Sequence, residues 1–246
     1  MTERILNKLD EYLSKNDYTS AEKHLLFWLS EAENNNDNKI VLLVCNELMG
    51  LYRKLGKRDN ALNFAERALN QTVVMNIEKN IGAATTYINT ATVYKAFGMA
   101  EKSIPLFHKA KAIYEKTLST TDGRLGGLYN NMGLAFIDLK RFEEGKDCYK
   151  KALKVMQSIA DGEPEQAITY LNMASAAEAE YGLENATEYI SEYLEKAMAL
   201  LDGSQNKTSG NYAFVCEKCA SVFGYYGYFY YESELKERSR RIYERT

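Results

Sequence analysis

An internal repeat of roughly 40 residues, a period typical of stacked helical units, constrains the fold of this chain more than any other feature of its sequence. One column of mostly small residues keeps a nearly constant spacing along the chain: Met49, Ala91, Gly133, Ala174 and Ala220. A second column of mostly small residues follows it: Ala21, Ala61, Ser103, Gly145 and Ala186. Several columns that keep one spacing indicate a repeat protein, in which stacked units bury a continuous core.

Each repeat has the pattern of two helices. Apolar residues recur at intervals of three and four, as at Leu125, Leu128 and Met132. Gly56, Gly98 or Gly227 falls between the two helices of a repeat, where a helix end favours a residue with positive φ. We therefore predict an all-α fold, a single domain over residues 1–246, with about six helix pairs at 2–33, 38–77, 80–119, 123–160, 164–201 and 209–244.

The two prolines fit this scheme. Pro164 suits the first turn of a helix, where its missing N–H costs little. Pro105 lies inside a helical pattern, but only about one turn after Gly98, so we expect the helix to tolerate it.

Charge and hydropathy exclude several classes of protein. The formal net charge is −3 and the pI is near 5.7, which gives no global attraction to nucleic acid or anionic lipid. The sequence has no run of about 18 apolar residues and no signal peptide pattern. We expect a cytoplasmic protein that binds neither nucleic acid nor membranes.

The best-preserved repeat resembles the tetratricopeptide repeat family. It reads Tyr-Asn-Asn-Met-Gly-Leu-Ala-Phe from Tyr129, then Arg-Phe-Glu-Glu-Gly from Arg141 and Tyr-Lys-Lys-Ala-Leu from Tyr149. The spacing is similar to the longer variant of this repeat, found in kinesin light chain and in bacterial peptide-sensing regulators. The resemblance implies a right-handed superhelix, or solenoid, whose first helices line a concave groove. It also implies a scaffold that binds proteins or extended peptides, without catalysis.

Asparagines recur at one position of the first helices. Asn89, Asn131 and Asn172 form this asparagine ladder, in which each member occupies the same position of its repeat. The resemblance implies that they clamp the backbone of an extended peptide, because an amide offers both a donor and an acceptor. Two alternatives are that they hydrogen-bond to neighbouring helices or face water.

Charged and polar residues surround the ladder on the predicted inner face. The peptide-binding groove is predicted to include Asn46, Arg53, Lys54, Lys95, Asn130, Asp138 and Glu178 in addition to the ladder. Basic residues come from the early repeats and acidic residues from the later ones, which favours a ligand with an acidic stretch toward the N-terminal half. The alternative is an ordinary solvated helix face.

Cys216 and Cys219 form a CxxC sequence, but a structural zinc site needs four ligands and no second pair is available. We predict that both thiols pack in the core, and we predict no metal and no cofactor. His24 and His108 have no nucleophile motif nearby. The sequence has no convergent set of catalytic groups, so we do not predict an enzyme.

The C-terminal repeat is rich in aromatic residues. One helix pair cannot bury so many rings, which favours an interface there. The predicted interface residues are Tyr225, Tyr226, Tyr228, Tyr230 and Tyr231.

The sequence therefore supports three functions. The first is a protein-binding or peptide-binding scaffold, and the second is a structural homo-oligomer, such as a homodimer, joined through the aromatic end. The third is a peptide-responsive signalling sensor. It would lack its own effector element, because the repeats begin at residue 2 and leave no room for one.

Overall fold

The computed structural model describes residues 1–244 and places twelve α-helices in them, with no strand in that range. The helices are α1 (Thr2–Ser14), α2 (Tyr18–Asn34), α3 (Asn38–Lys54), α4 (Arg58–Val74), α5 (Ile81–Ala96), α6 (Ala100–Thr117), α7 (Gly123–Asp138), α8 (Phe142–Met156), α9 (Glu163–Tyr181), α10 (Thr187–Gly203), α11 (Gly210–Tyr225) and α12 (Phe229–Tyr243). Consecutive helices pack as six pairs, from α1 with α2 to α11 with α12. The predicted all-α fold of helix pairs is confirmed.

The chain divides into two units, Met1–Thr117 and Leu118–Thr246. Unit 1 holds α1 to α6, and its core includes the fully buried side chains of Leu25, Leu48 and Met49. Unit 2 holds α7 to α12, and its core includes Leu194 and Phe223. The expectation of a single domain over 1–246 stays a prediction.

Helix starts coincide with the polar breaks between repeats. The side chains of Asp37, Asn80 and Ser209 each accept a hydrogen bond from a backbone N–H in the first turn, at 3.0 to 3.1 Å. Such caps satisfy donors that the helix itself leaves unpaired. They explain why the predicted bounds of the helix pairs lie within a few residues of the observed ones.

The turns between the two helices of a pair contain a residue with a left-handed backbone conformation. Gly56, Gly98 and Gly227 have φ of 68°, 76° and 87°, as the turn positions predicted. Lys140 occupies the aligned position of pair 4 and has φ of 58°, although it carries a side chain. Pro164 lies in the first turn of α9, and α6 continues through Pro105.

The small columns bring the helices close together. Ala61, Ser103 and Ala186 are completely buried. A Cβ on Gly133 would lie 2.5 Å from the ring of Tyr149, so only glycine leaves room for that ring. Within residues 1–244, no helix is long and apolar enough to cross a membrane.

Candidate functional site

First helices of successive pairs contact one another within each unit. In unit 1, α3 packs against α5, and in unit 2, α9 packs against both α7 and α11. We call the surfaces formed by these helices the first-helix faces. They carry the asparagine ladder.

In unit 1, a chain of hydrogen bonds links α3 to α5. The Nδ2 of Asn46 donates to Leu42 O at 2.9 Å and to Thr86 Oγ1 at 3.1 Å. The Nδ2 of Asn89 donates in turn to Asn46 Oδ1 at 2.9 Å. Asn46 and Asn89 are half-buried, so this contact lies at the surface between the two helices.

Unit 2 repeats the same arrangement between α7 and α9. The Nδ2 of Asn130 donates to Thr169 Oγ1 at 2.8 Å, and the Nδ2 of Asn172 approaches Asn130 Oδ1 at 3.5 Å. The second contact is at the outer limit of a hydrogen bond and is weaker than its counterpart in unit 1. We call each trio an amide relay: Thr86, Asn46 and Asn89 in unit 1, and Thr169, Asn130 and Asn172 in unit 2.

The third ladder residue is bonded differently. Asn131 is half-buried, and its Nδ2 donates to Gly127 O of its own helix at 2.9 Å. Two of the three ladder residues therefore do bridge neighbouring helices, which was one of the alternatives. Asn130 requires a correction, because it is buried between α7 and α9 and presents almost no surface to a ligand. Peptide binding by the ladder stays a prediction.

The predicted basic residues of unit 1 lie in the last turns of α3 and α5. Arg53 and Lys54 are exposed, and Lys95 is half-buried. The Lys54 ammonium lies 5.0 Å from the centre of the Tyr18 ring. Although the Arg53 side chain reaches solvent, desolvation by the protein around it lowers the pKa of its guanidinium. Three cations thus lie near the C-terminal ends of two first helices of unit 1.

The predicted acidic residues belong to unit 2. Asp138 is the last residue of α7 and is exposed. Glu178 on α9 accepts hydrogen bonds from the hydroxyls of Tyr225 and Tyr226, both at 2.7 Å. This carboxylate thus ties α9 to α11, a structural role that the sequence did not predict.

The aromatic C-terminal pair separates into exposed and buried rings. Tyr225 and Tyr230 are 68% and 85% exposed. Tyr226 and Tyr228 are half-buried. Tyr231 requires a correction, because it is buried, packs edge-on against Phe223 at 4.8 Å and donates to Asp202 at 2.9 Å. Tyr231 therefore stabilises its own helix pair, joins it to α10, and presents almost no surface to a partner.

Cys216 and Cys219 are free and buried in the core of unit 2, as predicted. Burial raises the pKa of both thiols, which keeps them protonated at neutral pH. Across residues 1–244 there is no group of three or more His, Cys, Asp or Glu side chains that could hold a metal ion.

The sequence did not predict that Thr86 and Thr169 belong to these relays. Both stand three residues before a ladder asparagine, in Thr-Tyr-Ile-Asn from Thr86 and Thr-Tyr-Leu-Asn from Thr169. The middle repeat has Leu128 at this position, in Leu-Tyr-Asn-Asn. A recurring Thr-Tyr-x-Asn was therefore the available signal.

Comparison with known proteins tests the resemblance. The family model for the tetratricopeptide repeat matches residues 127–155, which cover most of α7 and α8. The chain contains a tetratricopeptide repeat. The predicted family resemblance, including the likeness to kinesin light chain, is confirmed.

One relative extends the likeness over most of the chain. Protein KINESIN LIGHT CHAIN-RELATED 1 of Arabidopsis thaliana is 25% identical over 189 residues. The match covers 72% of this chain but only 30% of that relative, so this chain spans about a third of its length.

Solved structures show the same fold. BtubC (BKLC) from P. vanneervenii superposes with a TM-score of 0.69 at 20% identity, over 83% of this chain and 82% of that one. A P. anserina protein of the kinesin light chain type, with nearly identical TPR-like repeats, gives a TM-score of 0.55 at 17% identity, over 82% and 94% of the two chains. Folds of this kind typically mediate protein interactions.

Proposed function

We propose that this chain is a scaffold whose first-helix faces bind an extended peptide or a peptide segment of a protein partner. The half-buried amides of Asn89, Asn131 and Asn172 on these faces support the proposal most directly. Each uses one N–H within the protein and keeps hydrogen-bonding capacity for a ligand.

Charge would add selectivity to backbone binding. Arg53 and Lys54 would add positive charge to the face of unit 1, which favours a ligand with acidic side chains there. Amides bind the peptide backbone without regard to its side chains, so in this proposal the basic residues account for sequence preference.

A pull-down from source-cell lysate tests the proposal. The bait proteins are the wild type, the triple variant Asn89→Ala/Asn131→Ala/Asn172→Ala, and Asn70→Ala as the control. Asn70 is an exposed asparagine on α4, a second helix. We expect the triple variant to lose a partner that the wild type and Asn70→Ala retain.

The asparagines of the relays also join helices, so folding must be checked by circular dichroism and thermal unfolding. Capture of the same proteins by a folded triple variant would refute the role of the ladder. The aromatic surface of the C-terminal pair would then be tested next.

Self-association is the second candidate function, and one observation favours it. The second residue of helices α4, α6, α8 and α10 is acidic: Asp59, Glu101, Glu143 and Glu188. Acidic residues are favoured there by the helix dipole. In α12 this residue is Tyr230, which is 85% exposed beside Phe229, itself 68% exposed. Packing within the pair gives no reason for these two exposed rings.

The variant Tyr230→Glu separates the two candidate functions. The substitution gives α12 the acidic second residue that α4, α6, α8 and α10 have, so it should preserve or improve stability. If the aromatic end joins two copies, light scattering coupled to size exclusion should show a dimer for the wild type and a monomer for the variant. A wild type that stays monomeric at high concentration would remove this candidate.

A further inference from the structure

In the amide relay of unit 1, the direction of each hydrogen bond follows from counting the available hydrogens. Thr86 has one hydroxyl hydrogen, and it is donated to Gly82 O at 3.2 Å. Toward Asn46, therefore, the Thr86 oxygen can only accept.

Asn46 must then turn its nitrogen toward Thr86. Its two N–H groups are both used, one on Leu42 O and one on Thr86 Oγ1. Only the carbonyl oxygen of Asn46 remains for Asn89, so Asn89 must contribute its nitrogen at 2.9 Å. The orientation of each amide is thus fixed by the preceding one.

The last group of this relay is the carbonyl oxygen of Asn89. With Nδ2 of Asn89 directed at Asn46, Oδ1 lies on the opposite branch of the amide and points away from that contact. Among the described residues, no hydrogen bond occupies this oxygen, and the side chain is half-buried rather than enclosed.

Unit 2 shows the same direction of hydrogen bonds. Thr169 donates its hydroxyl hydrogen to Glu165 O at 2.9 Å, so it too can only accept from Asn130. Asn172 directs its Nδ2 at Asn130 Oδ1 at a longer 3.5 Å, which leaves its own oxygen for a ligand.

The middle ladder residue lacks such a relay. Ile88 stands at the position that Asn46 and Asn130 occupy in their repeats, and Leu128 stands where Thr86 and Thr169 stand. Asn131 bonds to its own helix instead.

We propose that Thr86 with Asn46, and Thr169 with Asn130, are positioning residues that present the carbonyl oxygens of Asn89 and Asn172 to backbone N–H groups of the ligand. This inference rests on the proposed function and narrows it. The ligand is an extended peptide with a free N–H at the contacted residue, so proline or an N-methylated residue there is rejected.

The first test needs no ligand. The side-chain amide signals of Asn46 and Asn89 are assigned by NMR in the wild type, Thr86→Val and Thr86→Ser. Valine has the shape of threonine without the hydroxyl, whereas serine keeps it. We expect Thr86→Val to shift both amide signals and Thr86→Ser to leave them near the wild-type values.

A matched control for the loss of a hydroxyl is Thr72→Val on α4. The Thr72 hydroxyl is bonded to Leu69 O of its own helix, outside the relay. This variant should leave both amide signals unchanged. A folded Thr86→Val protein with an unmoved Asn89 signal would overturn the relay, whatever the ligand proves to be.

The second test uses a twelve-residue peptide selected on the wild type from a randomised pool. The peptide is then N-methylated at one position at a time. We expect one N-methyl group to weaken binding to the wild type and Thr86→Ser on the order of 10-fold, the loss of one hydrogen bond. The same N-methyl group should cost Thr86→Val and Asn89→Ala much less.

The outcomes separate the two proposals. If the pool contains no peptide that the wild type binds, the proposed function fails, and the NMR comparison alone decides whether the relay orients Asn89. If peptides bind and every N-methyl penalty is the same in the wild type and in Thr86→Val, peptide binding stands and the positioning role is wrong.

Discussion

At the scale of single residues, Gly133 shows how closely two helices of unit 2 approach. An added Cβ would lie 2.5 Å from the ring of Tyr149, whereas at Gly127, also on α7, it would meet nothing within 4 Å. We expect Gly133→Ala to lower the free energy of unfolding by about 1–3 kcal/mol through overpacking. Gly127→Ala should raise it by up to about 1 kcal/mol, because alanine favours helix more than glycine does. Urea unfolding of the two variants measures both effects, and equal changes would contradict this account of Gly133.

At Lys140, backbone conformation rather than packing determines how a substitution changes stability. Its φ of 58° matches Gly56 and Gly98 at the aligned turns. A left-handed conformation costs a residue with a Cβ about 1–2 kcal/mol, and glycine avoids that cost. We expect Lys140→Gly to raise the free energy of unfolding by about 1 kcal/mol once the greater chain entropy of glycine is included. Lys116→Gly, at an exposed position in α6, should instead lower it by about 1 kcal/mol.

The sequence predicted the small columns and the turn glycines, because each depends on spacing along the chain. It did not predict the relays, because the partner of Asn46 depends on how α3 lies against α5. It also did not predict the left-handed conformation of Lys140, since the residue type argues against it. Its alignment with Gly56 and Gly98 was the only available signal.

At the scale of helices, Glu22 on α2 joins its own pair to the next. It accepts hydrogen bonds from the Lys57 ammonium at 3.0 Å and the Tyr52 hydroxyl at 2.8 Å. These bonds, with Lys57 the larger contribution, hold the pKa of Glu22 below its usual value. The folded state thus binds fewer protons than the unfolded state, so this stabilisation is present above the ordinary glutamate pKa of about 4.3 and is lost as the pH falls through the lowered pKa.

The variant Glu22→Gln tests that linkage. At pH 7 it should unfold more easily than the wild type by up to about 1 kcal/mol, because the pair is largely at the surface. At pH 3 the difference should be smaller, because pH 3 lies below the ordinary glutamate pKa and the carboxylate of the unfolded state is then largely protonated. Glu31→Gln, an exposed substitution on the same helix, is the control. A difference that stays constant from pH 7 to pH 3 would show that Glu22 does not stabilise the fold through its charge.

The bounds of the helices were predictable because caps and turns mark them in the sequence. Which aromatic side chains of α12 are buried could not be predicted. Tyr230 and Tyr231 are neighbours in sequence, yet one is 85% exposed and the other 7%. Successive residues of a helix point in different directions, and which direction faces the core depends on α11 and Phe223. The sequence predicted five tyrosines in an aromatic surface, but it could not separate the exposed Tyr230 from the buried Tyr231.

At the scale of the whole molecule, a spectroscopic probe is specific to unit 1. The single tryptophan, Trp28, lies on α2 and packs among Arg4, His24 and Phe27 of unit 1. Stability in repeat folds is carried mainly by each repeat and its immediate neighbours. Tryptophan fluorescence should therefore report the unfolding of unit 1, whereas far-UV circular dichroism reports all the helices.

Two overpacking variants, one in each unit, show whether the units unfold separately. Gly133→Ala in unit 2 should shift part of the circular dichroism transition to lower urea and leave the Trp28 transition near its wild-type midpoint. Ala68→Leu, at a completely buried position in α4 of unit 1, should shift the Trp28 transition itself. If both probes instead move together in both variants, the chain unfolds as one cooperative body, as the single domain predicted over residues 1–246 requires.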